Sequence, residues 1–168
     1  MRRPTATACF KSPLGLIRLD ADDRALLAVR LPRSGAPQDS PPGDIAHPIL
    51  RRALDQLGEY FAGQRQAFDL PLHPPAGSEG AALRAGIAAI PYGETRTYGD
   101  IAAQCGSIAR AVGQACKTNA FPLLIPCHRV TSAAGPEYYS AGDGPRTKSW
   151  LLDFEYDHLP LEKRTRLI

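Results

Sequence analysis

The stretch TYGDIAAQCGSIARAVGQACK, residues 97–117, decides the fold of this chain. Thr97 and Asp100 have the spacing of a capping box, so a helix is predicted to begin after Thr97. Gly106 is placed to end that helix, and Ser107 is a candidate N-cap for a second one. Two short helices joined by a tight glycine turn predict a helix-turn-helix, whose second helix can enter a groove of DNA.

The second predicted helix has two different faces. Apolar residues recur along one of them at helical spacing: Ile108, Val112, Ala115 and Cys116. On the outer face, Ala109 and Gly113 flank Arg110, which would let the helix backbone approach a narrow groove while one long cation reaches in. A solvated helix has no need of such small residues, although any antiparallel helix pair with a glycine turn shares the apolar periodicity. The small residues therefore favour a helix that binds DNA.

Upstream of this motif the chain has the pattern of a meander followed by a helix. Strand-like runs separated by turn residues occupy 8–11, 16–19 and 26–31. After a proline-rich loop, apolar residues recur at helical spacing from Ile49 to Phe61, and Gly63 is placed to end the helix. A further short strand is predicted at 67–72.

Pro74, Pro75 and Gly77 interrupt regular structure and mark a domain boundary. We place an N-terminal domain at 1–77 and a C-terminal domain at 78–168. The expected fold class is α/β with two small domains. The first is an antiparallel sheet with a helix, and the second is mainly helical and contains the helix-turn-helix.

Length and composition agree with such a chain. Its 168 residues are 43% hydrophobic and 22% charged, with a formal net charge of +3, which suits a globular protein that buries a core. No apolar run reaches the roughly 18 to 20 residues of a membrane helix, and no secretory signal follows Met1. We therefore expect a soluble cytoplasmic protein with reduced cysteines. Basic side chains outnumber acidic ones most clearly in residues 81–130.

The chain has four cysteines: Cys9, Cys105, Cys116 and Cys127. Their spacing relative to one another and to the histidines fits no metal site, so no metal is expected. Cys105 and Cys116 have the apolar neighbours of buried structural thiols. Cys127 follows an apolar run and precedes His128 and Arg129. A neighbouring histidine or cation lowers the pKa of a thiol and favours the nucleophilic thiolate, so Cys127 is the candidate nucleophile.

The run IPCHRV, residues 125–130, is one of several motifs that closely resemble the O6-alkylguanine-DNA alkyltransferases. The others are IPYGET at 90–95, TYGDIA at 97–102, ARAVG at 109–113 with Asn119, and KSWLL at 148–152 before Glu155. Their shared order makes chance implausible, and they cover about residues 77–156. The resemblance implies an RNase H-like N-terminal domain and a winged-helix-like C-terminal domain.

That family repairs DNA by direct reversal, so the resemblance implies irreversible, single-turnover transfer of an alkyl group from O6 of guanine to Cys127 after nucleotide flipping. His128 would remove the thiol proton through a water held with Glu155. Tyr98 would protonate guanine N3, and Lys148 would assist near the base. No cofactor is implied, and O4-alkylthymine is a further candidate substrate.

The resemblance also implies the DNA contacts. Arg110 would fill the gap left by the flipped nucleotide, Asn119 would brace the turn before the cysteine, and the Ser140 amide would assist at the base. The other residues implied at the DNA or the base are Ala109, Gly113, Arg129 and Val130. The expected partner is double-stranded DNA carrying O6-alkylguanine, bound by a monomer, with cooperative binding left open. No membrane partner is expected, and the DNA-bound protein would be associated with the nucleoid.

The chain departs from the family pattern at several places. In the helix before Ile90, Glu79, Gly80 and Arg84 replace the usual Phe-Gln and later Trp. The turn between the two helices is about two residues shorter, and the segment from Tyr139 to Lys148 about two longer. These differences bear on how the helix packs and on which alkyl groups the pocket accepts.

Two other functions are compatible with parts of the sequence. A non-catalytic sensor would bind O6-alkylguanine in DNA without chemistry, but known sensors of this type carry another residue at the cysteine position. A Cys-His thiol hydrolase would turn over small acyl esters, and it has no use for a helix-turn-helix or for Arg110.

Overall fold

The N-terminal domain is a three-stranded antiparallel sheet covered by one helix. The computed structural model describes residues 3–133 and 138–164. The strands are β1 (Ala6–Ser12), β2 (Gly15–Ala21) and β3 (Leu26–Arg30), in the order β1-β2-β3. Alternate residues such as Ala8 and Leu19, which pair across β1 and β2, are fully buried under helix α1 (Pro48–Phe61). The predicted meander and helix are confirmed.

The predicted strand at 67–72 is wrong. In this segment only Leu72 makes a bridge, to Leu26, while the Leu26 amide bonds to Pro71 O and the His73 amide bonds to Leu26 O. The segment therefore follows the sheet edge without joining it over its length. The proline after His73 cannot donate a ladder hydrogen bond, which limits the pairing to this short stretch.

The C-terminal domain is mainly helical. Its elements are α2 (Gly77–Ala88), β4 (Arg96–Thr97), α3 (Tyr98–Cys105), α4 (Ala109–Lys117), β5 (Val130–Thr131) and α5 (Pro145–Asp157), with 3-10 turns at Cys127–Arg129 and Leu161–Lys163. β4 and β5 pair in parallel, Arg96 opposite Val130. This pair ties the start of the helix-turn-helix to the segment that follows Cys127.

The helix-turn-helix forms from α3 and α4, with one difference from the sequence pattern. The capping box of Thr97 and Asp100 is present, and Gly106 ends α3 with φ 64°. Ser107 is not the N-cap of α4, because its hydroxyl donates to Glu79 Oε1 at 3.0 Å. Ile108 is the N-cap, with extended backbone. Its side chain was predicted on the core face of α4, but it is 65% exposed.

The polar residues of α2 have partners, so the departures from the family pattern do not leave this helix unpacked. Arg84 donates to His73 O at 2.7 Å, and its guanidinium lies 5.2 Å from the centroid of the Phe121 ring. Leu83 and Ile87 are buried on the same helix. The arginine therefore connects α2 to the segment between the domains and to the segment before Cys127.

The two domains share one contiguous apolar core. The Val29 amide of β3 donates to Ala120 O at 2.8 Å, and Ser34 donates to the Asp143 carboxylate from both its amide and its hydroxyl. The division at residue 77 stays a prediction, and α2 begins at that residue. Within residues 3–133 and 138–164, no helix has the length and apolar character needed to cross a membrane.

Candidate active site

Cys127 is held at the end of a buried segment that follows α4. Residues 121–130 are all buried, and Cys127 is 3% exposed. The Asn119 side-chain amide donates to Cys127 Sγ at 3.0 Å and to Ile125 O at 2.9 Å, and its Oδ1 accepts from the Phe121 amide. Leu123 has φ 76°, an unusual conformation for a branched side chain that these bonds help to hold. One asparagine thus fixes both the turn and the thiol.

Behind the thiol, the fully buried carboxylate of Glu155 on α5 holds the side chains of His128 and Arg129. His128 Nε2 lies 2.7 Å from Glu155 Oε1. Arg129 donates to both carboxylate oxygens, at 2.9 and 2.8 Å, and to Ile90 O at 2.8 Å. Oε1 also accepts from the Tyr60 hydroxyl at 2.9 Å, and Oε2 from the Gly93 amide at 3.2 Å. The position of Glu155 is therefore set by four residues from three other parts of the chain.

The protonation states of this pair follow from its surroundings. Burial raises the pKa of Glu155, but the pairing with His128 and the hydrogen bonds and charge of Arg129 outweigh it, so the pKa lies well below its ordinary value. Burial lowers the pKa of His128 despite the attraction of Glu155. A neutral imidazole beside a carboxylate carries its hydrogen on Nε2, which leaves Nδ1 as an acceptor. Among the described residues, Nδ1 has no hydrogen-bond partner, so it is free to take a proton.

Cys127 is not made acidic by the residues that follow it in the sequence, contrary to the prediction. His128 is neutral and Arg129 is bound to Glu155, so neither acts as a cation beside the thiol. Burial raises the pKa of Cys127, and the hydrogen bond from Asn119 and the charge of Lys148 oppose that rise without cancelling it. The resting thiol is therefore protonated and needs a base.

A cavity of about 570 Å³ opens beside Cys127. It is lined by Tyr98, Ala109, Gly113, Cys116, Lys117, Cys127, Tyr138, Tyr139 and Ser140. Burial raises the pKa of Tyr98 to about 12, with smaller effects from Cys116 and Cys127, so its hydroxyl is a proton donor at neutral pH. The cavity brings together a thiol and a phenol, which are the groups that an alkyl transfer to sulfur requires.

Sequence reasoning missed four of the lining residues: Cys116, Lys117, Tyr138 and Tyr139. Cys116 is half-buried at the cavity, and its spacing from Ala109 and Gly113 places it on their face of α4. Burial raises the pKa of Tyr139, and the neighbouring Cys127 adds to the rise. The helical spacing could have identified Cys116. Tyr139 lies in an irregular loop, where no periodicity indicates direction.

Lys148 is fully buried on α5 and donates to Val130 O at 2.6 Å and to Tyr138 O at 2.8 Å. It joins the segment after Cys127 to the rim of the cavity. Burial lowers the pKa of Lys148, while Cys116 and Cys127 raise it. Val130 is buried and is not a lining residue, and Arg129 is buried on Glu155, so neither lies at the surface expected for a DNA or base contact.

The outer face of α4 is open. Arg110 and Ala109 are exposed, and a Cβ added at Gly113 would meet nothing within 4 Å. Ser140 is exposed at the cavity rim, and its hydroxyl donates to Lys117 O at 3.3 Å. The predicted small-residue face is therefore free for an incoming molecule. Over the described part of the chain, no group of three or more potential ligands could hold a metal.

Two family models together match most of the chain. Residues 6–74 match the ribonuclease-like domain of 6-O-methylguanine DNA methyltransferase, and residues 81–156 match its DNA binding domain. The chain belongs to this methyltransferase family. The resemblance found in the motifs is confirmed, as is the two-domain α/β fold.

Relatives support the family assignment across both domains. A methylated-DNA–protein-cysteine methyltransferase of Methanosarcina acetivorans is 36% identical over 151 residues, covering 88% of this chain and 96% of the relative. The constitutive enzyme of Bacillus subtilis is 44% identical over 110 residues, 64% of this chain and 67% of its own. The crystal structure of Mycobacterium tuberculosis O6-methylguanine methyltransferase has a TM-score of 0.75 and 32% identity, covering 92% of this chain and 96% of that one. The same protein has been solved in complex with DNA.

Proposed function

We propose that this protein repairs DNA by direct reversal, in which Cys127 takes an alkyl group from O6 of guanine in one irreversible turnover. The observation that carries the proposal is the position of Cys127, which accepts a hydrogen bond from Asn119 and lines a cavity that Tyr98 also lines. Membership of the methyltransferase family supports the same reaction. O4-alkylthymine is a second candidate substrate of the same chemistry.

The proton balance assigns a role to each buried group. His128 Nδ1 accepts the Cys127 proton through a water, while Glu155 stabilises the resulting imidazolium through Nε2. The sulfur then forms a bond to the alkyl carbon as the bond from that carbon to O6 breaks. Tyr98 donates a proton to the departing guanine, so the proton lost by Cys127 is matched by the one gained by the base. Lys148 holds the cavity rim through Tyr138 O.

The cavity reaches the outside beside α4, so a guanine must leave the duplex to enter it. Ala109 and Gly113 allow α4 to lie close to the DNA, and Arg110 occupies the gap left by the flipped nucleotide. Contacts would fall mostly on phosphates, which makes binding salt-sensitive and little dependent on sequence. The partner is double-stranded DNA carrying O6-alkylguanine, bound by a monomer in the cytoplasm and at the nucleoid, with cooperativity measurable by titration.

The deciding experiment is the intact mass of the protein after incubation with a duplex that contains O6-methylguanine, followed by peptide mapping. We expect a gain of about 14 Da on the peptide with Cys127 and one equivalent of restored guanine. Cys127→Ser should bind the duplex and gain no mass, while Cys9→Ser, a matched control far from the cavity, should react as the wild type. Tight lesion binding with no mass gain would instead identify a sensor.

A further inference from the structure

We propose that Tyr60, in the N-terminal domain, is a positioning residue that sets how strongly Glu155 attracts the proton of His128. This inference rests on the proposed function, because it gives Glu155 and His128 their roles in removing the Cys127 proton. It adds a residue from outside the helix-turn-helix domain to the proton relay.

The contact is direct and fully buried. Tyr60 lies in the last turn of α1 with no exposed surface, and its hydroxyl donates to Glu155 Oε1 at 2.9 Å across 95 residues of sequence. The same oxygen is the one 2.7 Å from His128 Nε2. Tyr60 and His128 therefore bind the same oxygen, and each of the two hydrogen bonds weakens the other.

Packing alone does not account for a tyrosine at this position. The Tyr60 ring lies among the rings of Phe61, Phe68, Tyr92 and Phe154, with centroids 5.1 to 6.2 Å away. A phenylalanine would fill the same space without the desolvation cost of a hydroxyl. The Tyr60 hydroxyl has Glu155 as its partner, and Glu155 is the carboxylate that lies behind Cys127.

The hydroxyl acts as a donor at every relevant pH. Burial raises the pKa of Tyr60 well above its ordinary value, and the negative charge of Glu155 raises it further. Titratable or charged groups that interact with Glu155 or His128 come from several packed elements. They are Tyr60 of α1, Tyr92 of the turn before β4, Arg129 of the 3-10 turn, Tyr139 of the cavity loop, and Lys148 of α5 itself. Of these, Tyr60 and Arg129 donate to the oxygen that binds His128.

The sign of the effect follows from this competition. By donating to Oε1, Tyr60 withdraws negative charge from the carboxylate and so lowers its pull on a proton at His128. Without the hydroxyl, Glu155 should stabilise the imidazolium more, and His128 should become protonated at a higher pH. Only neutral His128 can accept the Cys127 proton, so the acid limb of the rate profile should move to higher pH.

The test is single-turnover transfer from an O6-methylguanine duplex to wild type and Tyr60→Phe, measured from pH 5 to 9. We expect the acid limb of the Tyr60→Phe profile to lie about half a pH unit or more above that of the wild type, so that its rate is about threefold or more lower at pH values below both midpoints. The thermal midpoint of each protein, followed by Trp150 fluorescence, shows that both are folded over this range.

Phe61→Leu is the matched control, because it alters the same aromatic interface without touching the carboxylate. It should lower the thermal midpoint and leave the acid limb in place. If Tyr60→Phe transfers with the rate and pH profile of the wild type, or if Phe61→Leu shifts the limb equally, the positioning role is wrong. A wild type that transfers no methyl group would instead contradict the proposed function itself.

Discussion

At the scale of single residues, a neutral imidazole is held in a fully buried position. His128 has no exposed surface, and burial lowers its pKa although Glu155 is only 2.7 Å away. The unfolded chain has no such restriction, and its histidines titrate near about pH 6.5. Below that pH the unfolded state binds a proton that folded His128 does not, so stability must fall as acid is added.

We expect the free energy of unfolding to fall between about pH 6.5 and pH 5, with a slope from His128 of at most about 1.4 kcal/mol per pH unit. His128→Asn removes the group, so its unfolding free energy should be lower overall but flatter over the same interval. Urea denaturation at half-unit steps of pH measures both slopes. Equal slopes in the two proteins would mean that folded His128 takes up the proton as readily as the unfolded chain does.

The contacts of a functional side chain could be predicted where the contacting residues are near in sequence, and could not be predicted where those residues are distant. The motif around Cys127 indicated a candidate nucleophile, and Asn119 was predicted at the turn where the structure shows its hydrogen bonds. The prediction that His128 and Arg129 lower the pKa of the Cys127 thiol is wrong, because both side chains bind Glu155. No local pattern pointed to Tyr60, since its contact spans 95 residues.

At the scale of elements, the first helix of the helix-turn-helix could be predicted and the start of the second could not. Thr97 and Gly106 act through bonds within three or four residues, so the sequence contains the whole motif. Serine is an equally good N-cap residue, but the Ser107 hydroxyl donates its hydrogen bond to Glu79 of α2. A partner on another helix thus moved the beginning of α4 to Ala109.

A substitution at Gly113 on α4 should change stability and DNA binding in opposite directions. A Cβ there would meet nothing, so Gly113→Ala should stabilise the free protein by about 1 kcal/mol through helix propensity. The same methyl group would stand where α4 approaches DNA, so affinity for duplex should fall several-fold. Urea denaturation and fluorescence anisotropy with a labelled duplex measure the two effects.

Gly58→Ala in α1 is the matched control for that substitution. Its Cβ would make only an ordinary contact, 3.9 Å from the Phe10 ring, on a helix of the other domain. It should gain comparable stability and bind DNA as the wild type does. Unchanged DNA affinity in Gly113→Ala would contradict the close approach of α4.

At the scale of the whole molecule, the resemblance and the local patterns together predicted two domains, whereas the contacts between them come only from the structure. Hydrophobic periodicity indicates which face of an element is buried but not what covers it. Here α1 and α5 cover each other through aromatic rings, with Phe61 between Phe10 and Trp150. The Glu155 carboxylate lies on α5 beneath this interface and accepts a hydrogen bond from Tyr60 of α1.

Because the two domains share one apolar core and Tyr60 of α1 bonds to Glu155 of α5, they should unfold as one cooperative unit. Trp150 is the only tryptophan, and its ring centroid lies 6.3 Å from that of Phe61 on α1, so its fluorescence reports the contact between α5 and α1, while far-UV ellipticity reports all helices. We expect the two signals to give the same urea midpoint, and Phe61→Leu to lower both together. A Trp150 transition at lower urea than the loss of ellipticity would show that the domains separate before they unfold. In that case Tyr60 would leave Glu155 while α5 is still folded, and alkyl transfer should be lost at the first transition.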